Sequence, residues 1–167
     1  VELLVKKYNL DVHLSFFGNG PDLEKLKKIV KEKNIEDNIT FLGAVPKDQY
    51  INLLKEIDIS LFMYDFSNLG NSLWETMYAG KLIATKSSGD TNKYLTNKLN
   101  TIIVKEDDNG EEMAKSIFSY VDKDISSITS NSRAFINDNV IEWEKRIEKE
   151  MNLIDSNLVK FKGNLND

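Results

Sequence analysis

The chain contains no cysteine, which excludes disulfides and thiolate metal sites and suits a reducing compartment. It has one histidine, His13, early in an apolar run, where a packed or edge role is the plain reading. No His or Cys pair has metal-ligand spacing, and no Gly-x-Ser-x-Gly, Walker lysine or nucleophile–base pair occurs. No apolar run reaches the roughly 20 residues that span a bilayer, and no signal peptide opens the chain, so a cytoplasmic location is the default expectation. A net charge of −5 argues against broad attraction to nucleic acid or anionic lipid. Only two prolines and eight glycines punctuate the chain, so each carries more information than usual.

What is present suits one soluble globular domain of the α/β class. The length of 167 residues supports a real core, with 41% hydrophobic and 29% charged residues. The opening segment VELLVKKY is an amphipathic helical pattern without a preceding cap, which carries the expectation of an upstream part. Five short apolar runs read as strands: 11–17 (DVHLSFF), 38–42 (NITFL), 57–63 (IDISLFM), 81–85 (KLIAT) and 101–104 (TIIV). Helical patterns fall between and after them: 22–34, from Pro46 through Tyr50, Leu53 and Leu54, 71–79, 91–95, 113–121, 126–137 and 140–154. Residues 155–167 read as a polar, frayed tail outside the domain at 1–154. Strands alternating with helices give a doubly wound, Rossmann-like parallel sheet with helices on both faces. Ligands gather at the carboxyl ends of such strands, and the punctuation falls there: Gly18 to Pro21, Gly43 to Pro46, Asp65 to Ser72, and Ser87 to Thr91.

The richest of these stretches is DFSNLGNSLWETMYAGKLIAT, from Asp65 to Thr85. Gly70 breaks the chain before a helix, Asn71 and Ser72 are capping residue types, and Glu75 projects from its first turn. A helix start with free N–H groups holds a phosphate through its backbone, and a nearby carboxylate accepts from ligand hydroxyls. Leu73, Trp74 and Met77 make the helix apolar, so an unpaired carboxylate within it would be costly and calls for a reason. The alternative is a carboxylate favoured by the helix dipole. Gly18-x-Gly20 allows close backbone approach, or is a plain strand-to-helix turn; the spacing is not a dinucleotide fingerprint. Gly43-Ala44-Val45 either presents backbone groups to a flat base or is merely tight.

Taken in order, FFGNGPD, NITFLGAVPKDQY, IDISLFMY, the Gly70–Glu75 stretch with MYAGKLIAT, and the late EWEKRIEKE resemble the C-terminal domain of family-four glycosyltransferases. These are retaining enzymes of the two-domain GT-B fold, and the resemblance covers about Val1 to Ile154. It implies that the chain is the nucleotide-sugar-binding half of an enzyme that moves a sugar from a nucleotide diphosphate to a hydroxyl acceptor, in surface polysaccharide or glycan biosynthesis. It implies Glu75 as the catalytic carboxylate, on the donor ribose hydroxyls, and the N–H groups of Gly70, Asn71, Ser72 and Leu73 on the diphosphate. Val45 would meet the base through its backbone, with Gly18, Gly20 and Gly43 lining the donor site. No metal or other cofactor is implied. Partners would be the nucleotide sugar, a glycan acceptor and an N-terminal acceptor domain of the same enzyme, with no nucleic acid and with peripheral association at the inner face of the membrane.

The family motif has two glutamates with seven residues between them. Gly70 and Glu75 match it, but Ser67 stands where the first glutamate belongs, and Asp65 or Asn68 would have to substitute near the donor sugar. The family's first central strand, with an Arg and a Lys in its loop, has no counterpart here. The expectation is therefore an incomplete sheet and little or no transferase activity from this polypeptide alone. Two other readings remain at this point: a non-catalytic α/β nucleotide- or partner-binding module, and a GT-B sugar-nucleotide epimerase.

Overall fold

The computed structural model describes residues 1–66, 69–105, 110–139 and 143–163. Among the described residues five strands form, all parallel to their neighbours: β1 (Leu14–Phe17), β2 (Ile39–Gly43), β3 (Ile59–Phe62), β4 (Leu82–Lys86) and β5 (Ile102–Val104). The helices are α1 (Glu2–Lys6), α2 (Leu23–Glu32), α3 (Lys47–Glu56), α4 (Asn71–Tyr78), α5 (Thr91–Tyr94), α6 (Glu111–Phe118), α7 (Ser126–Asn139) and α8 (Trp143–Gly163).

The five strands do not make one sheet. Among the described residues, β1 pairs only with β2, while β3, β4 and β5 form a separate three-stranded sheet in that order. The register runs Leu14↔Ile39 in the first sheet, with a bulge between Phe16 and Phe17, and Ile59↔Leu82 and Ala84↔Ile102 in the second. The expected incomplete sheet thus takes the form of two separate parallel sheets among the described residues.

The core lies on the second sheet, and β4 shows why. Leu82, Ile83, Ala84 and Thr85 are all buried, as a central strand covered on both faces must be. Successive side chains point to opposite faces. Leu82 and Ala84 join Leu4, Ile102, Val104, Met113 and Ile117 on one side. Ile83 joins Phe62, Leu73, Met77, Leu95 and Ile136 on the other. Helices therefore cover both faces, and the doubly wound reading holds. Two buried threonines tie the strands beyond the backbone ladder: Thr85 Oγ1 donates to Phe62 O at 2.8 Å and Thr101 Oγ1 to Ile83 O at 2.9 Å.

α4 ends at Gly80, which takes the left-handed φ of +71° and receives Arg133 from α7 against it. Arg133 Nε donates to Tyr78 O at 3.1 Å, a cation on the carbonyl end of a helix. The last helix differs from its sequence pattern. α8 continues through Gly163, so most of the segment read as a frayed tail from residue 155 is helical, while residues 164–167 lie outside the described ones. Ile147, Met151, Leu153 and Ile154 are exposed along it. No described helix is long and apolar enough to cross a membrane.

Candidate functional site

Two glycine turns meet at the carboxyl ends of β1 and β2. Phe17 stands opposite Gly43 in the register, and Gly18 N–H donates to Gly43 O at 2.6 Å. Gly18 has φ of +103° and Gly43 φ of +67°, the left-handed region that glycine enters without steric cost. A Cβ on Gly43 would also come within 3.1 Å of Asn19 Oδ1. Gly20 is constrained by neither: its φ is not in that region, and an added Cβ meets nothing within 4 Å. The Gly18 N–H is engaged by Gly43, so that glycine serves by shaping the turn. Val45 follows, half-buried, and Pro46 leads into α3.

The second part of the site is the start of α4. The N-cap is Gly70, with extended backbone and no side-chain cap bond. Asn71 and Ser72 are therefore not caps, as their residue types suggest, but the first two helical positions. The Leu73 N–H closes onto Gly70 O at 3.0 Å, and the Leu73 side chain is in the core. The N–H groups of Asn71 and Ser72 belong to the first turn, which has no intrahelical acceptor. Leu69, just before the cap, has φ of +54° and is buried at 4% exposure. Left-handed backbone is uncommon for a branched residue and marks an over-determined entry to the helix. Ser67 and Asn68 lie outside the described residues.

Glu75 is not the buried unpaired charge that its apolar neighbours suggest. Leu73 and Met77 face the core, whereas the Glu75 side chain keeps 34% exposure and its Oε1 pairs with Lys47 Nζ at 3.2 Å. The charge is at the surface and has a partner. Asp65, a substitute for the absent first glutamate, instead pairs with Lys86 at 3.3 Å. That lysine brings a cation to the end of β4, with its side chain only 16% exposed.

Tyr50 connects the two parts. Its ring stands edge-on to Phe17, centroids 5.8 Å apart. Its hydroxyl lies 3.3 Å from Ser72 O and 3.2 Å from Thr76 Oγ1. Thr76 Oγ1 donates to Ser72 O at 2.7 Å, so Tyr50 can donate to Thr76. Burial pushes the Tyr50 phenol up; the Thr76 hydrogen bond opposes this, and the Glu75 and Tyr64 charges add to it. Lys47 and Tyr50, one turn apart on α3, thus face Ser72, Glu75 and Thr76 on α4, and this face joins the two sheets.

Tyr50 was legible as inward-facing, but its contact with α4 was not. Lys47 and Lys86 carried no sequence signal. A separate cavity of about 600 Å³ opens beyond β5, lined by residues including Ser87, Asn92, Thr96, Asn97 and Lys105. It contains none of the expected donor residues. Among the described residues no group of three or more His, Asp or Glu side chains is placed to hold a metal ion.

The family model "Glycosyl transferases group 1" matches residues 1–143. The chain belongs to that family. It is 26% identical over 159 residues to the poly(ribitol-phosphate) alpha-N-acetylglucosaminyltransferase of Staphylococcus aureus, covering 93% of this chain and 31% of that protein. An uncharacterized glycosyltransferase of Bacillus subtilis, YqgM, is 25% identical over 60% of this chain and 28% of its own length. The chain therefore spans about a third of the curated relatives it matches. Staphylococcus aureus TarM, solved with UDP, superposes with a TM-score of 0.76 at 24% identity, over 91% of this chain and 30% of that one. Sucrose-phosphate synthase of Thermosynechococcus elongatus gives 0.76 at 16% identity, over 95% and 42%. The group 1 glycosyl transferase fold seen here is that of the C-terminal GT-B domain.

Proposed function

We propose that this domain binds the nucleotide diphosphate sugar of a retaining glycosyltransferase whose acceptor is a hydroxyl of a cell-surface glycopolymer. The observation that carries the reading is the combination in α4 of first-turn N–H groups with the surface carboxylate of Glu75, which stands just beyond the first turn rather than in it, in a chain of the group 1 family. The Asn71 and Ser72 N–H groups meet the diphosphate, and Glu75 accepts from the ribose hydroxyls. The turn from Gly43 to Val45 presents backbone groups to the base. In the reaction the anomeric carbon breaks its bond to the diphosphate oxygen and bonds to the acceptor oxygen, whose proton passes to the departing diphosphate. Negative charge grows on the departing diphosphate, where N–H groups aimed in advance lower the barrier. No metal takes part in this proposal.

The relatives suggest where to begin. One is named for transfer of N-acetylglucosamine to poly(ribitol-phosphate), and TarM holds UDP, so a UDP-sugar donor and a polyol-phosphate acceptor are the first choices. The acceptor domain would come from the rest of the enzyme, at the inner face of the membrane. Calorimetric titration of the intact enzyme with UDP-, GDP- and ADP-sugars tests the reading. One of them is expected to bind saturably, and Glu75→Gln to weaken it about tenfold to a hundredfold, as loss of a charge-assisted hydrogen bond does. No saturable binding of any of the three overturns it.

A further inference from the structure

We propose that Lys47 is a positioning residue for the nucleotide ribose, holding the Glu75 carboxylate in the orientation that receives the hydroxyls; this rests on the donor-site reading above. The Lys47 ammonium lies 3.2 Å from Glu75 Oε1. A carboxylate offers about four lone-pair sites, so one ammonium on Oε1 leaves Oε2 and a second Oε1 site for the two hydroxyl donors of a ribose. Without a partner, a one-third-exposed glutamate samples several rotamers, and ordering it would subtract from the affinity of any ligand it holds. Lys47 orders it in advance.

The contact does not depend on Lys47 alone. Tyr50, one turn further along α3, is fixed by the Phe17 ring and by the hydroxyl cluster at Ser72 and Thr76. It sets the spacing of α3 from α4, and so the reach of Lys47. As a stability element the pair counts for little, because the Lys47 side chain is 76% exposed and such pairs are screened by solvent. Its consequence falls on binding. α3 begins two residues after Val45, past its N-cap Pro46, so the helix that follows the base turn also steadies the ribose carboxylate on α4, and the two recognition events are coupled.

The test uses the intact enzyme with whichever of UDP, GDP and ADP it binds, alongside the 2′,3′-dideoxy form of that nucleotide. Lys47→Met is expected to weaken the ribonucleotide about threefold to fivefold and to leave the dideoxy affinity unchanged. Lys47→Arg is expected to restore ribonucleotide binding to within about twofold, since guanidinium also pairs with carboxylate. In a Glu75→Gln background, Lys47→Met is expected to add nothing. Equal weakening of both nucleotides, or of neither, overturns the proposal. The outcomes separate from those of the donor-site reading: if Glu75→Gln leaves affinity intact, that reading fails. If Glu75→Gln weakens binding and Lys47→Met does not, only the role of Lys47 fails.

Discussion

In the β3–β4–β5 sheet the central strand buries Leu82, Ile83, Ala84 and Thr85 in succession, whereas every residue of β1 and β2 keeps some exposure. Both hydrophobic clusters are built around the first of these sheets, and neither includes a side chain from β1 or β2. The two-stranded sheet relies on its own contacts, such as the Phe16–Phe41 stack at 5.1 Å, and leaves Phe17 and Leu42 partly open. The candidate donor site takes one component from each. The well-packed half supplies α4 with Glu75, the sparse half supplies the Gly43–Val45 turn, and α3 spans the seam. On the proposed donor-site reading, the ribose and phosphate end would rest on the well-packed sheet, while the base-reading end would depend on the joint at α3.

The contrast can be broken by mutation. Ile83→Ala should be the most damaging change, about 2–5 kcal/mol, because its side chain is fully buried beneath α4 and α7. Urea denaturation of the chain measures it, and a cost no larger than that of Leu42→Ala would erase the distinction between the halves. Thr85→Val should come next, at about 1–2 kcal/mol, since it removes the buried donor to Phe62 O.

Tyr50→Phe sharpens the comparison at the joint. Loss of its hydroxyl contacts to Ser72 and Thr76 should cost about 0.5–1.5 kcal/mol and should also weaken nucleotide binding. The raised phenol adds a pH signature. The fold favours the neutral phenol, so this contribution is complete below the ordinary value of about 10. It is lost as pH rises through the higher folded value. Denaturation midpoints followed into alkali should therefore fall more steeply in the native chain than in Tyr50→Phe. Leu42→Ala, on the open sheet, should cost under about 1 kcal/mol. The smallest effect is expected from a chelator: EDTA should leave sugar transfer by the intact enzyme unchanged, and a loss restored by added divalent ion would contradict the metal-free proposal.

The elements were legible because buried parallel strands declare themselves as short apolar runs, and all five runs became strands. Their edges were less so. Residues 11–13 precede β1 although they continue its apolar run, and His13 spends its Nε2 contact on Thr40 Oγ1 at 2.8 Å. α8 outlasts the sequence period because helix formers such as Met151, Leu153 and Leu158 persist when the apolar stripe does not. At the site, Gly70 was legible as a break but not as the cap itself, because Asn71 and Ser72 compete for that role by residue type. The apolar neighbours of Glu75 suggested burial. Yet positions 73 and 77 share one face of a helix and position 75 the opposite one. Its partner comes from a different helix, α3, a proximity that local sequence does not encode.

The break between the sheets can also be read as a clock. In a parallel ladder alternate amides of a strand point to one neighbour and the rest point away. Each of β1 and β3 has a single strand partner among the described residues. Within each four-residue strand, then, amide protons should divide into a slow and a fast class by deuterium exchange. Addition of a strand beside β3 would move its fast class toward the slow one, leaving β4, already paired on both sides, untouched.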